Sequence, residues 1–289
     1  MAKQGIINQL VVQAEELAME ASANTCPVLL RQVAARRRIT EIVFGPLLVD
    51  ALLTTHPSGF RVFFRSDRDE ALSCLEAYKN ESAKNLLPSR IRFSLAHEIA
   101  HTFFYDLSKA PPKIKESASE AELDELEVMC NRLAGHLLMP SKLLKSELPN
   151  LKPESILSGA GRFGVSPETL VAQFTQQPGL LTKHNIRGCI IVLMDTLRGF
   201  EVKAIARQRH IVVPAELRNI QRGELLQGDG IKWNEIFAGK ENGQTDLPLT
   251  LKTNLGSEQK NYNFEFVRYS NSPEGDLYLT TVDLAGQSY

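Results

Sequence analysis

The hydrophobic pattern changes period three times along the chain, and each change marks a different kind of structure. From Ile6 to Ala21, the residues Ile7, Leu10, Val11, Ala14, Leu17 and Ala18 recur at helical spacing, which predicts an amphipathic helix. Pro27 to Ala35 predicts a second, shorter helix with Pro27 in its first turn. Alternation begins at Ile39, and Ile39 to Phe44 reads as a strand stopped by Gly45-Pro46. Asp50 to Thr55 and Phe60 to Arg65 read as two more strands. The four residues His56-Pro57-Ser58-Gly59 join them as a β-hairpin loop. His56 is expected to face solvent in that turn. Asp67 to Pro88 is polar and predicts irregular or partly helical chain.

Helical spacing then returns. In Arg92 to Tyr105, Ser94 is a candidate start, Leu95, Ile99 and Ala100 can seat the helix in a core, and Phe103 and Phe104 continue the buried side. Ser108 to Glu120, with Pro111-Pro112, reads as a loop or exposed insertion. Glu122 to Leu138 predicts a helix ended near Pro140, with Leu123, Leu126, Leu133 and Leu137 available for core contacts. Pro153 to Arg162, Gly164, and Ser166 to Phe174 predict helix, glycine turn, helix, with Ser166 as N-cap and Pro167 first in the second helix. That size fits a helix-turn-helix. Yet Ser166 to Phe174 holds no Lys or Arg, and a helix that reads DNA needs donors for base edges and phosphates. The segment is expected to pack or to dock a substrate.

Beyond a linker at Gln177-Pro178-Gly179 the period is β again. Strands are expected at Cys189 to Met194, Glu201 to Ala206, His210 to Val213, Leu247 to Thr253, Asn261 to Tyr269 and Asp276 to Val282. A helix at Ile231 to Ala238 carries the single tryptophan, Trp233.

Composition narrows the class without naming it. A chain of 289 residues suggests two domains, or one with appendages. A net charge of −1 and a pI near 6.6 give no bulk attraction to nucleic acid or to an anionic membrane. The triplet Arg36-Arg37-Arg38 reads as a solvated helix C-terminus favoured by the helix dipole, rather than a contact for phosphate or an acidic partner. Cys26, Cys74, Cys130 and Cys189 form no CxxC pair, so reduced thiols in a cytoplasm are expected. No secretory h-region opens the chain, and no run of about 18 apolar residues could span a bilayer.

The chemistry is concentrated in His97-Glu98-Ile99-Ala100-His101. Two histidines four apart on a helix lie about 40° apart, so both imidazoles leave one face and can grip one Zn²⁺. Glu98 lies about 100° further round than His97, placed to act as general base on a metal-bound water without being a ligand. A catalytic zinc takes three protein ligands and keeps one position open. Six carboxylates between Glu116 and Glu127 are candidates for the third. Glu127 is the choice, because Asn131 lies one turn on and can hydrogen-bond a ligand. His136 is about 180° round the helix from Glu127 and should point away. Tyr105, read as one turn beyond His101, is a candidate oxyanion stabiliser. The small sheet before the metal helix would offer an edge strand that could take up a substrate peptide by strand addition.

These residues resemble the ImmA/IrrE metallopeptidases. Arg92-Phe93-Ser94-Leu95-Ala96-His97-Glu98-Ile99-Ala100-His101 is similar to one block of that family. Glu127-x-x-Cys130-Asn131-x-x-Ala134-x-x-Leu137-Leu138-Met139-Pro140 is similar to a second. Cys130 and Leu133 depart from the family's usual Ala and Phe; both are apolar packing swaps. With its long C-terminal extension the chain looks closer to the IrrE branch of radiation-response regulators.

The resemblance implies His97, His101 and Glu127 as metal ligands for Zn²⁺ (Mn²⁺ being the alternative) and Glu98 as the catalytic carboxylate. It implies an α+β fold with a zincin-like core and a GAF-like C-terminal domain. The expected organisation is a peptidase domain at 1–145, a helix-turn-helix-like segment at 146–180 and a sensor-like domain at 181–289. The implied substrate is an XRE-type helix-turn-helix repressor, cut to derepress stress or mobile-element genes, with no direct binding of nucleic acid. The competing expectation is a metal-responsive regulator that acts by protein or DNA binding without proteolysis. Glu98 speaks against it, because a structural site needs no carboxylate beside His97.

Overall fold

The structure, a computed structural model, describes residues 2–114, 120–177, 180–181, 189–207, 217, 220–226, 231, 233–237, 240–253, 256–272 and 275–284. It is mixed helix and sheet, and it divides into two compact units. One is Met1–Glu147 with Gly161–Ser166; the other is Leu148–Ala160 with Pro167–Tyr289.

The first unit opens with α1 (Ala2–Ala21), which buries Ala14, Ala18 and Ala21. Helix α2 spans Leu30–Arg36, so Pro27 lies outside it, contrary to the sequence reading. The reason is not local. The Glu81 carboxylate accepts the backbone N–H of Leu30 at 3.1 Å and of Arg31 at 2.7 Å, giving the first turn its missing partners there.

Strands β1 (Ile39–Gly45), β2 (Ala51–His56) and β3 (Gly59–Arg65) form a sheet in the order β1-β3-β2. β1 runs parallel to β3, and β2 runs antiparallel to it. The expected hairpin forms with a two-residue loop instead of four, because His56 pairs with Gly59 and belongs to the strand. Gly59 has φ +153, and a Cβ there would overlap the Arg38 carbonyl. The close approach lets Phe60 N–H donate to that carbonyl at 2.7 Å. β2 is left at the sheet edge.

The polar stretch after β3 is more regular than its composition suggests. Asp67 caps α3 (Arg68–Lys79) by accepting from Asp69 and Glu70 N–H. Asp67-x-x-Glu70 is the spacing of a capping box, a signal the apolar pattern does not carry. Helix α4 (Ser89–His101) starts five residues before Ser94, since Ile91 and Arg92 are already packed in its first turn. A 3-10 turn, Thr102–Phe104, follows. Strand β4 (Tyr105–Asp106) then pairs with β5 (Lys113–Ile114), so a short ribbon stands where a loop was expected. Helices α5 (Glu120–Leu138) and α6 (Ser141–Glu147) complete this unit's main elements, with α1 and α4 both packed on α5.

Of the arginine triplet only Arg36 remains a solvated helix end, in an exposed pair with Glu20. Arg37 bonds Thr102, and Arg38 bonds the Leu107 carbonyl. For these two, tertiary acceptors replace the expected water.

His136, on α5, points away from the metal-helix face and donates Nδ1–H to Glu15 Oε1 at 2.6 Å. The same oxygen accepts Ser141 N–H at 3.1 Å and its hydroxyl at 2.6 Å. One carboxylate on α1 thus fastens the end of α5 to the start of α6. Burial raises the Glu15 pKa, but the hydrogen bonds from His136 and Ser141 outweigh it and hold the carboxyl below its usual value of 4.5. A carboxyl lowered in the folded state adds stability above its unfolded value, and that stability is lost as pH falls through the folded one. Glu15→Ala is therefore expected to cost about 1–3 kcal/mol at pH 7 in urea denaturation. The gap to the parent should narrow as pH drops below 4.5; a gap that widens in acid would refute this account.

Helix α7 (Pro153–Phe163) begins in the second unit and ends in the first, Gly164 follows with φ +65, and α8 (Pro167–Gln176) belongs to the second unit. The helices and the glycine turn stand where the sequence puts them. Six strands among the described residues make one antiparallel sheet: β6 (Cys189–Thr196), β7 (Gly199–Arg207), β8 (Leu225–Leu226), β9 (Asn242–Thr253), β10 (Gly256–Ser272) and β11 (Gly275–Leu284). Their order is β8-β7-β6-β11-β10-β9, so the first and last strands meet in the middle.

Both faces of β6 are buried. Cys189, Ile191 and Leu193 join an aromatic core with Trp233 and Phe237 of the short helix α9 (Trp233–Phe237). Ile190 and Val192 point the other way and are buried too, while α8 packs against β6 and β7. The Tyr269 hydroxyl donates to Glu168 on α8. The strand expected at His210 to Val213 and the linker residues Pro178 and Gly179 lie outside the described residues. No helix among the described residues is long and apolar enough to cross a membrane.

Candidate metal centre

The packing of α4 on α5 brings two segments some thirty residues apart to one point. His97 Nε2 and His101 Nε2 are 3.0 Å apart. Glu127, on α5, places Oε2 3.0 Å from His97 Nε2 and Oε1 3.4 Å from His101 Nε2. Donors on a tetrahedron with bonds of about 2.0–2.1 Å stand roughly 3.3–3.4 Å apart, so these spacings fit one small cation. Among the described residues this is the group of His, Cys, Asp or Glu side chains that could hold a metal ion.

The tautomers agree with that use. His97 Nδ1–H donates to Asn131 Oδ1 at 3.0 Å, which leaves the Nε2 lone pair facing Glu127. Asn131 sits one turn beyond Glu127 on α5, so a single helix supplies a donor atom and the partner that aims another. Burial first, and His97 second, lower the His101 pKa, partly opposed by Glu127. Both effects favour the neutral imidazole that a metal needs.

Glu98 is only 6% exposed, whereas the Glu127 side chain is 54% exposed. Burial, then the Glu127 charge, push the Glu98 carboxyl up to about 7, and the backbone N–H of Leu53 on β2 pulls against them. An acid poised near neutrality can accept and return a proton, the property of a general base. The edge strand packs against α4 and bears on the charge of this carboxylate, an influence that no local pattern announces.

Tyr105 does not lie a helical turn beyond His101 as expected, because α4 ends at His101 and the chain turns into β4. Its ring packs edge-on to Phe60 at 5.1 Å. Its phenol is raised by burial and then by the Glu98 charge, so it stays protonated and within electrostatic reach of that carboxylate. Cys130 is buried, its thiol pushed up by burial and the charges of Glu127 and Glu98, which keeps it unreactive.

Two supporting residues were not singled out from sequence. Arg92 lies on the same helix face as Leu95 and Ile99, which hints at its burial. Its partner Glu81, in a polar segment, gives no such hint. Arg92 Nη1 meets Glu81 Oε1 at 2.9 Å, with side-chain exposures of 0% and 1%. Arg92 Nη2 also donates to the Val28 carbonyl at 2.9 Å, and the Phe163 carbonyl lies 3.4 Å away.

A metal held here would supply Lewis acidity, lowering the pKa of a bound water and polarising a carbonyl. The protein's own contribution is the orientation of His97 by Asn131 and a buried carboxyl at Glu98 that can carry a proton. Two histidines and a glutamate on packed helices, with a raised carboxyl beside them, define a metallopeptidase-type centre. Residues 83–175 match the model of the Peptidase_M78 family, described as the IrrE N-terminal-like domain. The match supports the ImmA/IrrE family for this domain and does not separate the IrrE branch from the rest. No curated protein matches the chain.

Proposed function

We propose that the chain is a zinc-dependent, site-specific endopeptidase that cleaves an XRE-type helix-turn-helix repressor and so derepresses stress or mobile-element genes. The observation that carries the peptidase reading is the convergence of His97, His101 and Glu127 with Glu98 buried beside them. In this reading Glu98 takes a proton from water at the site and passes it to the leaving amine. Tyr105, protonated and near Glu98, would donate to the developing oxyanion. A substrate segment would lie extended along the β2 edge, which packs against α4.

The six-stranded antiparallel sheet with helices against it supports a GAF-like sensor reading of the second unit, and with it a place near the IrrE branch. α7, Gly164 and α8 have helix-turn-helix dimensions, but Leu170, Val171 and Phe174 of α8 are buried. That burial, with no Lys or Arg in α8, supports a packing role and no direct contact with DNA. Four free cysteines, three of them buried, fit a reducing cytoplasm.

The test is incubation of the full chain with an XRE-type repressor encoded beside it, with and without chelator. One discrete cleavage that chelator abolishes and Zn²⁺ restores is expected. An intact repressor under every condition would defeat the proposal and favour a regulator that acts by binding alone.

A further inference from the structure

Helix α4 ends at His101, so one of the three donors stands on the last residue of its helix. Helix ends fray, because the final carbonyls lack intrahelical partners. The chain then tightens into the 3-10 turn Thr102–Phe104. An imidazole in such a place keeps its aim only if the turn is anchored from outside the helix.

Arg37 supplies an anchor. It is the C-cap residue of α2, and its side chain reaches the end of α4. Nε donates to Thr102 Oγ1 at 2.9 Å and Nη2 donates to the Thr102 carbonyl at 2.7 Å. The guanidinium carbon lies 4.3 Å from the centroid of the Phe103 ring. The Thr102 hydroxyl in turn donates to the Ile99 carbonyl at 2.5 Å, closing the last turn of α4 on itself. Thr102 and Phe103 are both buried, so water is a poor substitute for these bonds. One side chain therefore holds the two residues that follow His101.

We propose that Arg37 is a positioning residue of the metal centre: by tying down Thr102 and Phe103 it fixes the final turn of α4 and directs the His101 imidazole toward His97 and Glu127. The inference rests on the reading of these three residues as a metal site. A guanidinium suits the task better than an ammonium, since two directional bonds and a stacked ring face come from one planar group. Without it the Thr102 carbonyl keeps only the Tyr105 N–H, and the Thr102 hydroxyl and the Phe103 ring lose the guanidinium that holds them to α2.

The experiment uses the full chain stripped of metal. Zn²⁺ affinity is measured by competition with a chromogenic chelator, and ligand geometry is read from the visible absorption of bound Co²⁺. Melting of the metal-free proteins is recorded separately. Arg37→Met is expected to weaken Zn²⁺ binding by about tenfold or more, the size of loss seen when groups that orient ligands are removed. Its Co²⁺ spectrum should also change. Arg37→Lys should recover part of the affinity, and Thr102→Val, which removes only the hydroxyl contacts, should fall between the two.

Parental Zn²⁺ affinity and an unaltered Co²⁺ spectrum in Arg37→Met would overturn the proposal, whatever happens to the melting temperature. If Arg37→Met does not fold, Arg37→Lys and Thr102→Val decide the question by the same readings. Glu127→Ala is the control for the site itself. A parent chain that binds Zn²⁺ no better than this variant would sink the site reading and the proposal together. A parent that does bind better, with unaffected Arg37 variants, would sink the proposal alone.

Discussion

Glu98→Gln is expected to reduce peptide cleavage by about 10²–10⁴-fold, the range that a positioned general base contributes. Metal binding should stay at the parental level. The amide keeps the shape of the side chain, but it cannot take up a proton. None of the three candidate donor groups, His97, His101 and Glu127, is altered. Stability should move the other way. In the metal-free chain the Glu98 carboxyl is raised to about 7 from its usual 4.5 by burial and by Glu127. A group raised in the folded state contributes stability below its unfolded value, and that contribution is lost as pH climbs through the folded one. Between pH 4.5 and about 7, metal-free parent protein should weaken relative to Glu98→Gln.

A divalent cation held at the three ligands would offset the Glu127 charge and lower the Glu98 pKa, leaving the base ionised at neutral pH. Cleavage of the repressor, metal content and urea denaturation of the metal-free chain across that pH range check all three statements. Full activity in the variant would eliminate the mechanism. Parallel pH–stability curves would eliminate the electrostatic account of Glu98.

Glu81→Ala should be the most destabilising single change of those considered, by about 3–5 kcal/mol, because it leaves a buried charge with no partner. Arg92 is wholly enclosed, its pKa pulled down by burial and held up by Glu81. Loss of Glu81 also removes the acceptor for the first N–H groups of α2. Arg92→Met should cost less, because the Glu81 carboxylate keeps the N–H groups of Leu30 and Arg31. The double variant Glu81→Leu with Arg92→Met should recover much of the loss, since apolar groups need no pairing. Urea denaturation of the parent, both single variants and the double variant forms the cycle. Additive losses would show that the two side chains do not act as a pair. Because Arg92 is in the first turn of α4, loosening it should also weaken metal binding.

Much of this protein was legible in its sequence because the signals were local. The helical repeat of α1, the caps at Ser166 and Pro167, and the β alternation from Cys189 onward each depend on neighbours a few residues apart. The positions of His97, Glu98 and His101 depend only on the helical repeat that puts the two imidazoles on one face. Glu127 and Asn131 follow from the same repeat, as two residues one turn apart.

What the tertiary structure decided involves groups distant in sequence. Whether Glu127 reaches the two imidazoles depends on the packing of α4 against α5. Whether Glu98 titrates near neutrality depends on how deeply β2 and its neighbours bury it, and burial is a property of the whole unit. The start of α2 was set by Glu81 and the roles of Arg37 and Arg38 by acceptors far along the chain. Tyr105 left its predicted helix because α4 ends at His101. Hydrogen-bond partners of long side chains have no periodic trace in a sequence; they exist only when folding brings a particular donor within about 3 Å of a particular acceptor.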